Sequence, residues 1–225
     1  MTACTRPLTT LTLLFLLFGM APSEARITHD RSQQRAAFLA AEKALKTGDG
    51  KAYEQAKKSH RDYPLYPYLE YQELRQKLTG VKADQAKRFL DDHRDTPLTA
   101  RFRRNWLDEL ARRGQWKTFI AFYRPTSNPR LRCHYLNALI RTGDAGEAWK
   151  DVETLWLSGR SRPDACDPVF DAWRAAGKLH SNLVWQRIEL AMGARQTRLA
   201  GYLGRFLPAQ EKTWLQRWLE VHRNP

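Results

Sequence analysis

RCHYLNALIRTGDAGEAWKDVETLWLSGRSRPDACDP, residues 132–168, decides how this chain folds. Cys133, Leu136, Leu139 and Ile140 recur at the spacing of one face of a helix, and so do Ala148, Val152, Leu155 and Trp156. Thr142-Gly143-Asp144 separates the two runs. Glycine suits the left-handed position just past a helix end, so the stretch predicts two helices joined by a tight turn. Cys133 and Cys166 flank this hairpin, where a disulfide would clip its two ends together.

The same punctuation repeats on either side. Gly48, Gly80, Gly114, Gly143 and Gly177 each come after an apolar-periodic segment, at intervals of 32, 34, 29 and 34 residues. Pro67, Pro97, Pro129 and Pro168 mark the opposite ends, the last three directly after Thr96, Asn128 and Asp167. Those are good N-cap residues, and proline fits the first helical position because its missing N–H has no partner there. Proline at the start and glycine at the end, alternating with this period, predicts stacked helical hairpins. We expect six, beginning near Arg35, Pro67, Pro97, Pro129, Pro168 and Arg195. Aromatics fall on the second helices: Tyr53, Phe89, Trp116 with Phe119, Trp149 with Trp156, Trp185, and Trp214 with Trp218. A lone hairpin cannot bury such a face, so neighbours must stack. The expected fold is all-α, a right-handed α-superhelix of about six hairpins, tetratricopeptide-like but without the tetratricopeptide consensus.

Residues 1–25 read as an export signal. Arg6 supplies positive charge, Leu8 to Met20 form an apolar run, and Ser23-Glu24-Ala25 offers the small residues that signal peptidase needs. Thirteen apolar residues fall short of the roughly 20 that span a hydrocarbon core. The domain reading is therefore a cleaved signal peptide, 1–25, and a superhelical domain, 26–225, in an exported protein with no membrane span. The whole chain carries a formal net charge of +14. In cytosol this would suggest nucleic acid; export removes that partner and leaves acidic polymers of the envelope, lipid head groups or peptidoglycan with its carboxylate-bearing stems. A solvated face of arginines is the plainer alternative. Export also lets disulfides persist, and Cys133 and Cys166 are the two cysteines left beyond the signal.

Motifs for chemistry are sparse. The six histidines stand singly, no His-Glu-x-x-His or Cys-x-x-Cys occurs, and neither a Gly-x-Ser-x-Gly elbow nor a phosphate-binding glycine loop is present. No metal ligand set or cofactor is expected. Glu70 and Glu73 share a helix face, but adjacent carboxylates on an exposed helix read as surface charge rather than as glycosidase acids. Four tyrosines between Asp62 and Tyr71 either stack on sugars or fill a junction between hairpins. Arg101, Arg103, Arg104, Arg112 and Arg113, around Trp106, form the densest basic cluster. Guanidinium forks suit carboxylates and phosphates, so these five are the candidate anionic-ligand residues.

The stretch Tyr63-Pro64-Leu65-Tyr66-Pro67-Tyr68-Leu69-Glu70-Tyr71 resembles the N-terminal region of the soluble lytic murein transglycosylases. So do Leu131-Arg132-Cys133, Leu155-Trp156-Leu157-Ser158-Gly159, Pro163-Asp164-Ala165-Cys166-Asp167-Pro168 and Trp218-Leu219-Glu220-Val221-His222-Arg223-Asn224-Pro225. The resemblance implies a periplasmic family that cleaves peptidoglycan glycan strands without water, leaving a 1,6-anhydromuramyl end. It implies a long α-superhelical region together with a lysozyme-like domain whose catalytic glutamate precedes a serine. This sequence has no Glu-Ser dipeptide, so no catalytic residue is carried over. The expectation is the first part of the superhelical domain, binding and orienting glycan strands and their acidic stems rather than cutting them. An exported helical scaffold for a protein partner is the alternative. Trp214, Leu215, Trp218 and Leu219 would form an open end, prone to self-association.

Overall fold

The computed structural model describes residues 23–58 and 63–223, with side chains from Arg31 onward. The signal segment up to Pro22 lies outside the described residues, and the expected cleavage point after Ala25 falls in the first turn of α1. Twelve α-helices and no β-strand occur among the described residues. They are α1 Ser23–Thr47, α2 Gly50–Lys58, α3 Tyr66–Gln76, α4 Ala83–Asp92, α5 Pro97–Arg112 and α6 Trp116–Phe122. Then come α7 Pro129–Thr142, α8 Ala145–Trp156, α9 Asp167–Ala175, α10 Ser181–Gly193, α11 Thr197–Leu203 and α12 Ala209–Arg223. Taken two at a time these are the six expected pairs. Five start within two residues of the expected place. The first starts twelve residues earlier than Arg35, because nothing between Ser23 and Thr47 is a proline or glycine and helix continues unopposed.

The punctuation works in most places, for the expected reason. Gly48, Gly114, Gly143 and Gly177 have positive φ, from 66° to 98°, which glycine reaches without a Cβ clash. Gly80 does not: α3 has already ended at Gln76, and Gly80 closes a 3-10 turn, Leu78–Gly80. After α10 the left-handed position is taken by Arg195 (φ 58°). Among the expected caps, the Asn128 side chain accepts the Arg130 N–H at 3.0 Å. Thr96 instead donates its hydroxyl to the His93 carbonyl at 2.8 Å, and Asp167 is itself the first residue of α9.

The chain divides into two compact units, residues 1–69 and 70–225. In the first, α1 and α2 form a hairpin around Ala41, Ala44, Leu45 and Tyr53, joined by Leu69. Asp49 caps α2 by accepting the Ala52 N–H at 3.0 Å. In the second, one cluster holds Phe89, Phe102, Trp106, Leu110 and Phe119, and another holds Val152, Trp156, Trp173, Val184, Ile188 and Leu203. Helix α7 belongs to both. Leu131 and Ala138 face the first cluster, while Cys133, Leu136 and Leu139 face the second. A helix apolar on two faces must be covered on both, and that requirement stacks the hairpins across α7.

Cys133 and Cys166 are fully buried and joined as a disulfide, with Cα atoms 4.8 Å apart. The link ties α7 to the 3-10 turn Asp164–Cys166 that leads into α9. Just before it, Gly159 packs on the end of α10. A Cβ there would press on the Leu190 carbonyl oxygen, 2.9 Å from the carbonyl carbon and 3.1 Å from Ala194 Cβ. Glycine lets these backbones meet. Arg162 fixes the same loop by donating its Nε–H to the Leu155 carbonyl at 2.7 Å.

Candidate functional site

The five arginines singled out from the sequence differ in what they meet. Arg101 and Arg104, one turn apart, stand exposed on α5. Arg112 is occupied within its own turn by a two-pronged bond to Glu109, at 2.6 and 2.8 Å, which holds the Glu109 carboxyl below its usual range. Arg113 donates to the Thr79 carbonyl at 2.6 Å. Arg103 is half-buried, and its charge is disfavoured first by burial and then by Arg124, against the pull of Asp91.

Arg103 begins a series that the sequence density hides. Arg124 comes after α6, Arg132 lies on α7, Arg162 precedes the 3-10 turn, and Arg187 lies on α10. Burial and then Arg132 lower the proton affinity of Arg162; burial and then Arg162 push that of Arg187 down to about 10. Arg103 and Arg124 thus stand within electrostatic reach of each other, and so does Arg162 of both Arg132 and Arg187. Tyr123 and Tyr135 stack beside this series with centroids 4.1 Å apart, over a cavity of about 350 Å³ bordered by Arg132 and Asp151.

Arg187 is the most unusual member. Its residue surface is 4% exposed, its Nε has no hydrogen-bond partner, and its guanidinium lies 4.1 Å from the Trp156 ring centroid. It borders a cavity of about 550 Å³, with Arg162 and Trp156 beside it and Asp164, Asp167 and Asp171 also on the wall. A signal for it existed in the sequence. Leu183, Val184, Ile188, Ala191 and Met192 make the buried stripe of α10, and Arg187 stands inside that stripe. An arginine at a core position, with nothing acidic one turn away on its own helix, marks a buried cation that must find its partner elsewhere.

The remaining candidates take structural roles. Glu70 meets His93 Nε2 at 2.5 Å and Glu73 meets Lys77 Nζ at 3.4 Å, so the two carboxylates are engaged separately. Tyr71 is buried in the second unit and its hydroxyl accepts from Asn105 Nδ2 at 3.4 Å; in the first unit Tyr63 packs on Phe38; Tyr68 is exposed. On α12, Leu215 is buried while Trp214 and Trp218 are exposed. No described helix is long and apolar enough to cross a membrane.

Comparison with known proteins adds the lineage. A family model described as Cucumovirus coat protein matches residues 138–222, well under half of the chain. The soluble lytic murein transglycosylase of Escherichia coli (strain K12) is 33% identical over 194 residues, covering 86% of this chain and 30% of that protein. Its counterpart from Salmonella typhimurium is 34% identical, over 76% of this chain and 27% of its own. Among solved structures, the 70 kDa soluble lytic transglycosylase of Escherichia coli aligns with a TM-score of 0.78 at 33% identity, over 86% of this chain and 32% of that one. An inactive mutant of lytic transglycosylase Slt from Pseudomonas aeruginosa aligns at 0.75 and 37%, over 84% and 31%. The chain is thus a homologue of part of the soluble lytic murein transglycosylases, and it spans about 30% of the length of the curated relatives it matches.

Proposed function

We propose that this chain is the murein-binding superhelical part of a periplasmic lytic transglycosylase, holding and orienting peptidoglycan rather than cleaving it. The observation that carries this reading is two groups of neighbouring arginines, Arg103 with Arg124 and Arg132 with Arg162 and Arg187, in a chain homologous to murein-cleaving enzymes. Peptide stems bear carboxylates, and guanidinium groups pair with carboxylates in two-pronged fashion. Arg101 and Arg104, exposed on α5, extend the same charge outward. Cleavage asks for something else: a carboxylic acid in a water-poor groove, able to protonate the glycosidic oxygen. Glu70 and Glu73, the carboxylates that share a face of α3, are paired to His93 and Lys77.

The test is binding of residues 26–225 to purified sacculi across a salt series. Binding should weaken as the screening length falls, from about 10 Å at 0.1 M to about 3 Å at 1 M. It should weaken further in the Arg101→Gln/Arg103→Gln/Arg104→Gln variant. Binding that ignores salt refutes the electrostatic reading. Release of 1,6-anhydromuropeptides above blank refutes the division between holding and cutting.

A second reading, contact with a protein partner or a second copy, is favoured by one stripe of α12. Trp214, Trp218 and Val221 are 64%, 38% and 66% exposed, at i, i+4 and i+7. Sedimentation over a concentration series tests it, and a monomer throughout argues against self-association.

A further inference from the structure

The cavity beside Arg187 is lined by charges of both signs, five arginines and three aspartates. Arg187 is buried and Arg162 half-buried. The exposed part carries Asp164, Asp167 and Asp171, from the 3-10 turn and α9, together with Arg174, Arg198 and Arg205. Of the charged side chains lining it, only Arg174 and Asp171 form an ion pair, at 3.0 Å. Neither Asp164 nor Asp167 is paired, and the Asp167 carboxyl is raised above the usual carboxylate range by burial and by its two acidic neighbours. The charge on Arg187 is disfavoured first by burial and then by Arg162, with Tyr202 opposing. Apart from Arg174 and Asp171, the cations and anions of this cavity therefore share it without forming ion pairs.

Such an arrangement is costly in the absence of a ligand. A guanidinium taken from water needs acceptors, and the Trp156 face below Arg187 replaces them only in part. Its Nε–H has no acceptor among the described residues. A carboxylate is the group that fills a guanidinium fork. A simple dianion such as phosphate would leave Asp164 and Asp167 without a cationic partner. A ligand carrying both a carboxylate and an ammonium group serves the buried arginine and the two unpaired aspartates together.

We propose that the Arg187 cavity is a binding site for a zwitterionic amino-acid head group, its carboxylate seated on Arg187 and Arg162 and its ammonium held by Asp164 and Asp167. At about 550 Å³ the cavity admits an amino acid or the end of a short peptide. The site goes beyond murein binding and stands without it, because its ligand is defined by the head group alone.

The experiment tracks the side-chain Nε–H resonance of Arg187 in the ¹⁵N-labelled mature chain, assigned by its loss in Arg187→Met. The probes are alanine, alanyl-alanine, propionate, ethylamine and inorganic phosphate. Alanine should move the resonance saturably and bind about tenfold more tightly than propionate, the difference expected of one charge-assisted contact. Alanyl-alanine tells a peptide end from a free amino acid: tighter binding than alanine assigns the site to peptides, weaker binding to the free acid. Asp167→Asn, on the exposed rim, should erase the advantage of alanine over propionate while leaving propionate binding as it was. Arg187→Met, followed through the indole Nε1–H resonance of Trp156 on the same wall, should abolish binding of both, with unchanged far-ultraviolet circular dichroism. Propionate or phosphate binding as tightly as alanine would overturn the zwitterion assignment. An Arg187 resonance that no probe moves would overturn the site.

Discussion

Opening the Cys133–Cys166 bond tests how much of the second unit's stability comes from restricting its unfolded chain. The link closes a loop of 33 residues. The chain-entropy relation then gives a loss of about 12.5 cal/mol/K in the unfolded state, or about 3.7 kcal/mol at 25 °C. Replacing the cysteines would also remove fully buried atoms and confound the result with a cavity term. The cleaner comparison is oxidised against reduced wild type, both sulfurs retained. With a urea slope of about 2 kcal/mol per molar, reduction should lower the midpoint by about 2 M. Mass spectrometry of unreduced peptides first establishes that the pair is linked. A midpoint shift below about 0.5 M in verified oxidised protein would refute the entropic argument, because a strained native link or a structured unfolded state would then dominate.

Three further outcomes rest on particular contacts. Gly159→Ala should cost about 1–3 kcal/mol, because the neighbour it meets is backbone, whereas Gly204→Ala should cost less, since its Cβ meets the movable Leu215 side chain at 2.6 Å; equal losses in thermal unfolding would contradict this. Burial holds His134 below the ordinary histidine pKa, with Asp108 opposing and Arg130 reinforcing. The folded state then binds fewer protons than the unfolded one, so stability is full above about pH 6.5 and falls as pH drops from there toward the lowered folded value. His134→Gln should flatten that slope, and an unchanged slope would assign it elsewhere. Trp185 Nε1–H donates to Glu211 Oε2 at 2.6 Å and links α10 to α12; Glu211→Ala should speed amide exchange in α12 at least several-fold while α7 and α8 keep their protection.

The hairpin array was legible because its cause is local. Glycine at positive φ and proline at helix starts are properties of single residues, and the apolar stripes are properties of short windows. Where the reading slipped, a neighbour decided. Gly80 lost its expected place because α3 stops early and a 3-10 turn intervenes, and Arg195 took a glycine's conformation in a turn already tied on both sides. The site was less legible. Counting arginines along the chain drew attention to residues 101–113, where Arg112 and Arg113 satisfy a carboxylate and a carbonyl nearby. Arg132, Arg162 and Arg187 come near one another only through stacking of hairpins, which no window of sequence reports. Of these, Arg187 alone left a trace, as a charge inside an apolar stripe.

The connection between α8 and α9 is anchored both to an earlier helix and to a later one. Gly159 lies on the end of α10, and Cys166 is bonded back to α7. Loops on protein surfaces ordinarily absorb insertions and drift in length between relatives. This one has no slack to give, since one added residue between Gly159 and Cys166 must displace either the backbone contact or the sulfur bridge. Length variation among related chains should therefore collect in other connections, such as residues 123–128, and leave residues 157–166 at a constant length.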